Sequence, residues 1–150
     1  MTQTINISYE HYTLDTLPTS DSELVKAAFE ATTQAYAPFS GFKVGAAARL
    51  RSGEIITAAN CESEVFPSGM CAERSLLYYC SSAYAGERVQ TIAIASDPAE
   101  RECYPCGACR QVMLDTENRQ QSHIRIIMAG GGTATIVGSA KDLLPFMFKL

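Results

Sequence analysis

Basic clusters, long apolar runs and an excess of glycine or proline are all missing from this chain of 150 residues. Its 12 Lys and Arg are scattered so that no two are adjacent, and against 16 Asp and Glu they leave a net charge of −4. That pattern offers no electrostatic footprint for nucleic acid or for an anionic membrane. No apolar stretch approaches the ~18 residues that a membrane span requires. The first 20 residues carry neither Lys nor Arg nor an apolar core, so they do not read as a secretory signal, and a cytoplasmic location is expected. With 10 Gly, 6 Pro and 19% charged residues, the composition excludes collagen-like, disordered and coiled-coil chains. What remains is 47% hydrophobic and the length of one domain. A chain of this size buries roughly 68–70% of its unfolded surface and needs no staples to fold.

The feature in excess is cysteine, of which there are 6. Their density is about half that of a small disulfide scaffold, and in a reducing compartment cysteines serve as metal ligands or small buried hydrophobes. Cys61, Cys71 and Cys80 are widely spread, whereas Cys103, Cys106 and Cys109 recur at intervals of three. In Pro105-Cys106-Gly107-Ala108-Cys109 the two-residue gap lets both thiolates face one ion about 2.3 Å away. Alone, such a pair is ambiguous among a zinc site, a redox pair and chance.

The elements follow from periodicity and breakers. Ser20 and Glu23 fit a capping box, ahead of Leu24, Ala28, Ala31 and Ala35 at helical spacing, and Ala37-Pro38 should end that helix. Residues 42–50 and 55–60 read as a hairpin about Arg51-Ser52-Gly53-Glu54. Pro67-Ser68-Gly69 leads into a helix through about Cys80, and residues 89–95 form a buried strand. A helix over residues 106–117 precedes a second hairpin, 124–129 and 133–137, about Gly130-Gly131-Gly132. That triplet is not followed at once by a helix and so reads as a turn, not a phosphate cradle. A short helix starts near Ser139. Ile5, Ile7 and Tyr9 alternate weakly, as in a short edge strand. The order predicts an α/β fold, one mixed sheet covered by helices. Both cysteine segments open a helix, where the partial positive charge of the N-terminus favours thiolates.

Met70-Cys71-Ala72-Glu73-Arg74 completes a constellation. A cysteine, a glutamate two residues on and a later Pro-Cys-x-x-Cys are the pattern of zinc nucleobase deaminases, in which the glutamate is the general acid–base and not a ligand. Three protein ligands leave one tetrahedral position open for water, which zinc ionises near pH ~7. Three thiolates on Zn²⁺ leave a formal charge of −1, and Arg74, beside Glu73, is the side chain best placed to offset it.

The chain resembles the small, homotetrameric, zinc-dependent cytidine deaminases from about Ser22 to Leu150. Five separated motifs carry the likeness: YAPFSGFKVGAA at 36–47, Asn60-Cys61-Glu62, Cys71-Ala72-Glu73-Arg74, PCGACRQ at 105–111 and Leu143-Leu144-Pro145. The resemblance implies a three-layer α/β/α sandwich with a mixed five-stranded sheet. Residues 1–19 would be an N-terminal extension and residues 20–150 the catalytic domain. It implies one Zn²⁺ per subunit on Cys71, Cys106 and Cys109, with Glu73 moving protons and Arg74 donating to the sulfurs. Asn60 and Glu62 would bind the ribose, Phe42 would stack on the pyrimidine, and Phe148 would reach a neighbouring subunit's site. The implied activity is hydrolytic deamination of cytidine and deoxycytidine, in pyrimidine salvage, acting on a small nucleoside without nucleic-acid or membrane partners.

Ser63 and Glu64 depart from the family, which usually has Asn and then a small residue there, so the loop beside the sugar pocket is left open. Cys103 could instead close a four-sulfur structural site, although Pro105 and the lack of glycine between Cys103 and Cys106 oppose it. Cys61 and Cys80 are expected to be buried hydrophobes, and His11 and His123 surface or strand residues. The alternatives in function are a deaminase of a cytosine-containing antibiotic on the same fold, a polynucleotide editor disfavoured by charge, and an inactive zinc-stabilised binding protein.

Overall fold

The computed structural model describes residues 1–150, arranged as one mixed sheet between helices. The strands are β1 (Tyr9–Thr13), β2 (Lys43–Leu50), β3 (Ile55–Ala59), β4 (Val89–Asp97), β5 (Arg125–Gly130) and β6 (Thr133–Val137). The helices are α1 (Thr19–Ala31), α2 (Ala72–Ala83) and α3 (Gly107–Gln120), with a 3₁₀ turn at Ala140–Leu143. Spatial order is β1-β6-β5-β4-β2-β3. Only β4 and β5 run parallel, and α3 lies in the crossover that a parallel pair requires.

The sheet has six strands, not the expected five. Tyr9–Thr13 pairs antiparallel with β6, Tyr9 opposite Val137 and Thr13 opposite Thr133, and forms the sixth at one edge. The alternation of Ile5, Ile7 and Tyr9 placed this strand too early, since residues 5 and 7 lie in no strand; its partner across the ladder, and not its own burial, holds Tyr9–Thr13 in place. The capping box is also absent. Pro18 is the N-cap of α1 and no side chain caps it; the Pro18 carbonyl instead accepts from the Asp21 and Ser22 N–H groups. Asp21 is buried and takes a 2.6 Å hydrogen bond from Arg125 Nη1 on β5.

Alternation on the strands assigns the two faces. Ala46, Ala48, Ile92, Ile94, Ile126 and Met128 face Leu76, Leu77, Met113 and Leu114 of α2 and α3. Ala47, Ala93, Ala95, Ile127 and Ile136 face Leu24, Val25 and Ala28 of α1. Such central strands, buried on both sides, read as continuous apolar runs. β2 is built from small residues because α1 crosses it closely: a Cβ on Gly45 would sit 2.0 Å from the Ala28 carbonyl oxygen. These layers bring the starts of α2 and α3 together.

Candidate metal and active site

Cys71 and Cys106 are the N-caps of α2 and α3, both in extended backbone conformation, and Cys109 lies in the first turn of α3. Two helix N-termini therefore meet at three sulfurs, each contributing positive potential. Cys71 Sγ is 3.9 Å from Cys106 Sγ, Cys106 Sγ is 3.5 Å from Cys109 Sγ, and all three lie within 4.8 Å of one another. A tetrahedral ion with Zn–S bonds near 2.3 Å holds its sulfurs about 3.8 Å apart. The donor set and its spacing fit zinc.

The electrostatics favour thiolate at Cys71. The Cys71 thiol is drawn down to about 5, chiefly by a hydrogen bond from the Cys109 thiol, with Arg74 and Cys106 adding to it against the effect of burial. Cys109, as that donor and fully buried, is pushed up. Arg74 Nη2 donates to Cys71 Sγ at 3.5 Å, which holds the guanidinium above its ordinary value. Glu73, in the first turn of α2 and only 3% exposed, is pushed up to about 7, above all by burial and then by the negative charge of Cys71. A carboxyl group poised there can both take and give a proton near neutral pH.

Beside the cluster lies a cavity of about 460 Å³, within the range of small-molecule sites. Phe39, Ser40, Asn60, Glu62, Phe66, Cys71 and Arg74 are among the residues lining it. Short bridges between Tyr36 and Cys61, and between Cys61 and Met70, tie its walls together. The Asn60 side chain accepts from Val44 N–H at 2.8 Å and donates to the Phe42 carbonyl at 3.0 Å, fastening the start of β2. Glu62 accepts from Phe39 N–H at 2.8 Å, from Ser40 N–H at 3.2 Å and from the Ser40 hydroxyl. These bonds, the hydroxyl first, hold the Glu62 carboxyl below its usual range.

The structure thus brings together Cys71, Cys106, Cys109, Glu73 and Arg74 and sets Asn60 and Glu62 on the adjoining wall. Phe42 is 38% exposed just before β2 and is not among the lining residues, whereas Phe39 is. Phe148 is 73% exposed and borders a surface cleft with Gln111, Asp115 and Asn118 of α3, apart from this cavity. Cys103 is buried outside the three-sulfur cluster, and burial first of all pushes its thiol up to about 11. Cys61 is exposed on the cavity wall and not a core residue as expected; its backbone pairs with Met70. Sequence reasoning missed Phe39, Ser40 and Phe66, although Phe39 and Ser40 sit inside the 36–47 motif. It also gave no role to Arg110, whose Nε and Nη1 donate to the carbonyls of Pro105 and Leu143 and so lock the cysteine loop to the Leu143-Leu144-Pro145 segment.

Comparison with known proteins agrees with this arrangement. The family model for the cytidine and deoxycytidylate deaminase zinc-binding region matches residues 18–123. A cytidine deaminase of Halalkalibacterium halodurans is 43% identical over 93 residues, covering 61% of this chain and 68% of its own. A probable cytidine deaminase of Dictyostelium discoideum is 30% identical over 83% of this chain and 81% of its own. The crystal structure of cytidine deaminase from Burkholderia pseudomallei superposes with a TM-score of 0.72 at 34% identity, covering 84% of this chain and 97% of that one. The Mycobacterium tuberculosis cytidine deaminase gives 0.70 at 28% identity, over 89% of this chain and 100% of that one.

Proposed function

The chain belongs to the zinc-binding cytidine and deoxycytidylate deaminase family, and from that premise we propose that it hydrolyses the exocyclic amine of free cytidine and deoxycytidine, giving uridine or deoxyuridine and ammonia. The observation that carries this is the meeting of three sulfurs at the spacing zinc requires with a buried carboxyl poised near 7. Cys71, Cys106 and Cys109 would hold one zinc per subunit. When bound, zinc supplies Lewis-acid activation of water near neutral pH.

Glu73 as carboxylate takes one proton from the attacking water and delivers it to N3 of the ring, then takes the second from the hydroxyl now on C4, which becomes the carbonyl, and delivers it to the departing amine. The C4–O bond forms, the C4–N bond breaks, and no proton is left over on Glu73 after ammonia leaves. Arg74 offsets the sulfur charge. Asn60 and Glu62 bind the sugar, and Phe42, exposed and outside the lining of the free cavity, turns its ring inward to stack on the base when the nucleoside is bound. Ionised Glu62 accepts but cannot donate, so it suits a sugar hydroxyl and repels a phosphate, which favours a nucleoside over a nucleotide. Residues 20–150 form the catalytic domain, and Phe148, exposed on this chain, reaches a neighbouring copy's cavity in a homotetramer. Six free thiols suit a reducing cytoplasm, and no helix is long and apolar enough to cross a membrane.

Zinc quantification alongside ultraviolet monitoring of cytidine and deoxycytidine tests the assignment. Stoichiometric zinc with loss of the cytosine absorbance supports it. Full zinc occupancy with neither nucleoside turned over contradicts it.

A further inference from the structure

Resting on the assignment of Glu62 to the sugar, we propose that Ser40 is a positioning residue for nucleoside binding, one that turns the Glu62 carboxylate so that its last free acceptor position faces the cavity. A carboxylate offers about four acceptor positions. Three of those on Glu62 are filled from one turn: Phe39 N–H and Ser40 N–H on Oε2, and the Ser40 hydroxyl on Oε1. The open position is on Oε1.

The two backbone donors share one oxygen, so by themselves they are a pivot about which the carboxylate can swing. The Ser40 hydroxyl is the contact on the other oxygen, and it fixes the plane. Its own proton is directed as well. Ser40 Oγ accepts from Phe42 N–H at 3.0 Å, which uses one lone pair and leaves the hydroxyl proton for Glu62. Ser40 and Glu62 line the same cavity of about 460 Å³, Ser40 is exposed, and removing its hydroxyl disturbs no core packing.

The test compares Ser40→Ala, Ser40→Thr and Glu62→Ala with the wild type. It reads KM and kcat for cytidine and the inhibition constant of 2′,3′-dideoxycytidine, which lacks the 2′- and 3′-hydroxyls of the sugar. Ser40→Ala is expected to raise the cytidine KM roughly tenfold, the worth of a weakened hydrogen bond to a charged group. Its kcat and its dideoxycytidine inhibition constant should stay within about twofold of wild type, the signature of lost ground-state binding. Ser40→Thr, which keeps the hydroxyl, should restore KM. An equal weakening of both nucleosides, a fall in kcat at constant KM, or an unchanged KM overturns the role of Ser40. If Glu62→Ala raises KM while Ser40→Ala does not, only the positioning role fails. If Glu62→Ala also leaves KM unchanged, the sugar assignment fails and Ser40's role with it.

Discussion

Arg74 Nη2 lies 3.5 Å from the Cys71 sulfur, one helical turn along α2, while Arg74 Nε is buried without a partner. A cation is thus held against the sulfur cluster at the expense of one unsatisfied donor, a cost of about 1–3 kcal/mol. The offsetting gain is stabilisation of negative sulfur. Replacing Arg74 with Gln should therefore weaken zinc retention about 10–100-fold, the usual effect of removing a partner of a metal ligand. Competition with a chelator measures it. Unchanged zinc affinity would mean that the helix N-termini alone offset the charge.

A pH limb follows from Glu73. Its proton-accepting form is the carboxylate, and the group stands at about 7 through burial. Positive charge nearby moves it only downward. Values of kcat/KM for cytidine should therefore fall tenfold per unit on the acid side, with a midpoint no higher than about 7. Activity that rises from pH 7 to pH 5 would exclude Glu73 as the base.

Cys103 gives a stability prediction of the opposite sense. Burial pushes its folded-state thiol up to about 11 from an ordinary value of 9.0. Between these values the unfolded state binds fewer protons than the folded one, so stability falls as pH rises. The loss attributable to this thiol from pH 8 to pH 10 is about 1 kcal/mol. Urea unfolding of wild type and Cys103→Ala at both values checks it: the variant should lose less on going to pH 10.

Glu117 is the main buried structural carboxylate. It accepts from Ile124 N–H at 2.8 Å, Ala140 N–H at 2.7 Å and Ser139 Oγ at 2.8 Å, joining α3 to β5 and to the C-terminal 3₁₀ turn. Glu117→Ala strands two backbone donors and should cost about 3 kcal/mol in urea unfolding. A loss below about 1 kcal/mol would mean that water replaces the carboxylate without penalty.

The chemistry of the site was legible in the sequence where it is local. Cys71, Glu73, Cys106 and Cys109 are spaced along two helix starts, and their types and order pointed to the three-sulfur cluster and the carboxyl near it, with a fourth sulfur from Cys103 left open until the structure placed that residue outside. Residues whose roles depend on distant partners were not legible. β1 exists because Tyr9 and Thr13 find β6 more than 100 positions away. Cys61 lies exposed on the cavity wall, in a segment whose backbone pairs with Met70 nine positions on. Ser40 looked like one letter of a motif, and its contacts with Glu62 and Phe42 appear only once the 39–42 turn folds over the 60–62 loop. Single residues of unremarkable type carry no local mark of such contacts.

The most direct test of the central claim is the Glu73→Gln variant, assayed for zinc content and cytidine turnover together. Glu73 is not a ligand in this account, so the variant should retain stoichiometric zinc while kcat falls about 10²–10⁴-fold. Stoichiometric zinc with near-normal turnover would contradict the assignment of proton transfer to Glu73.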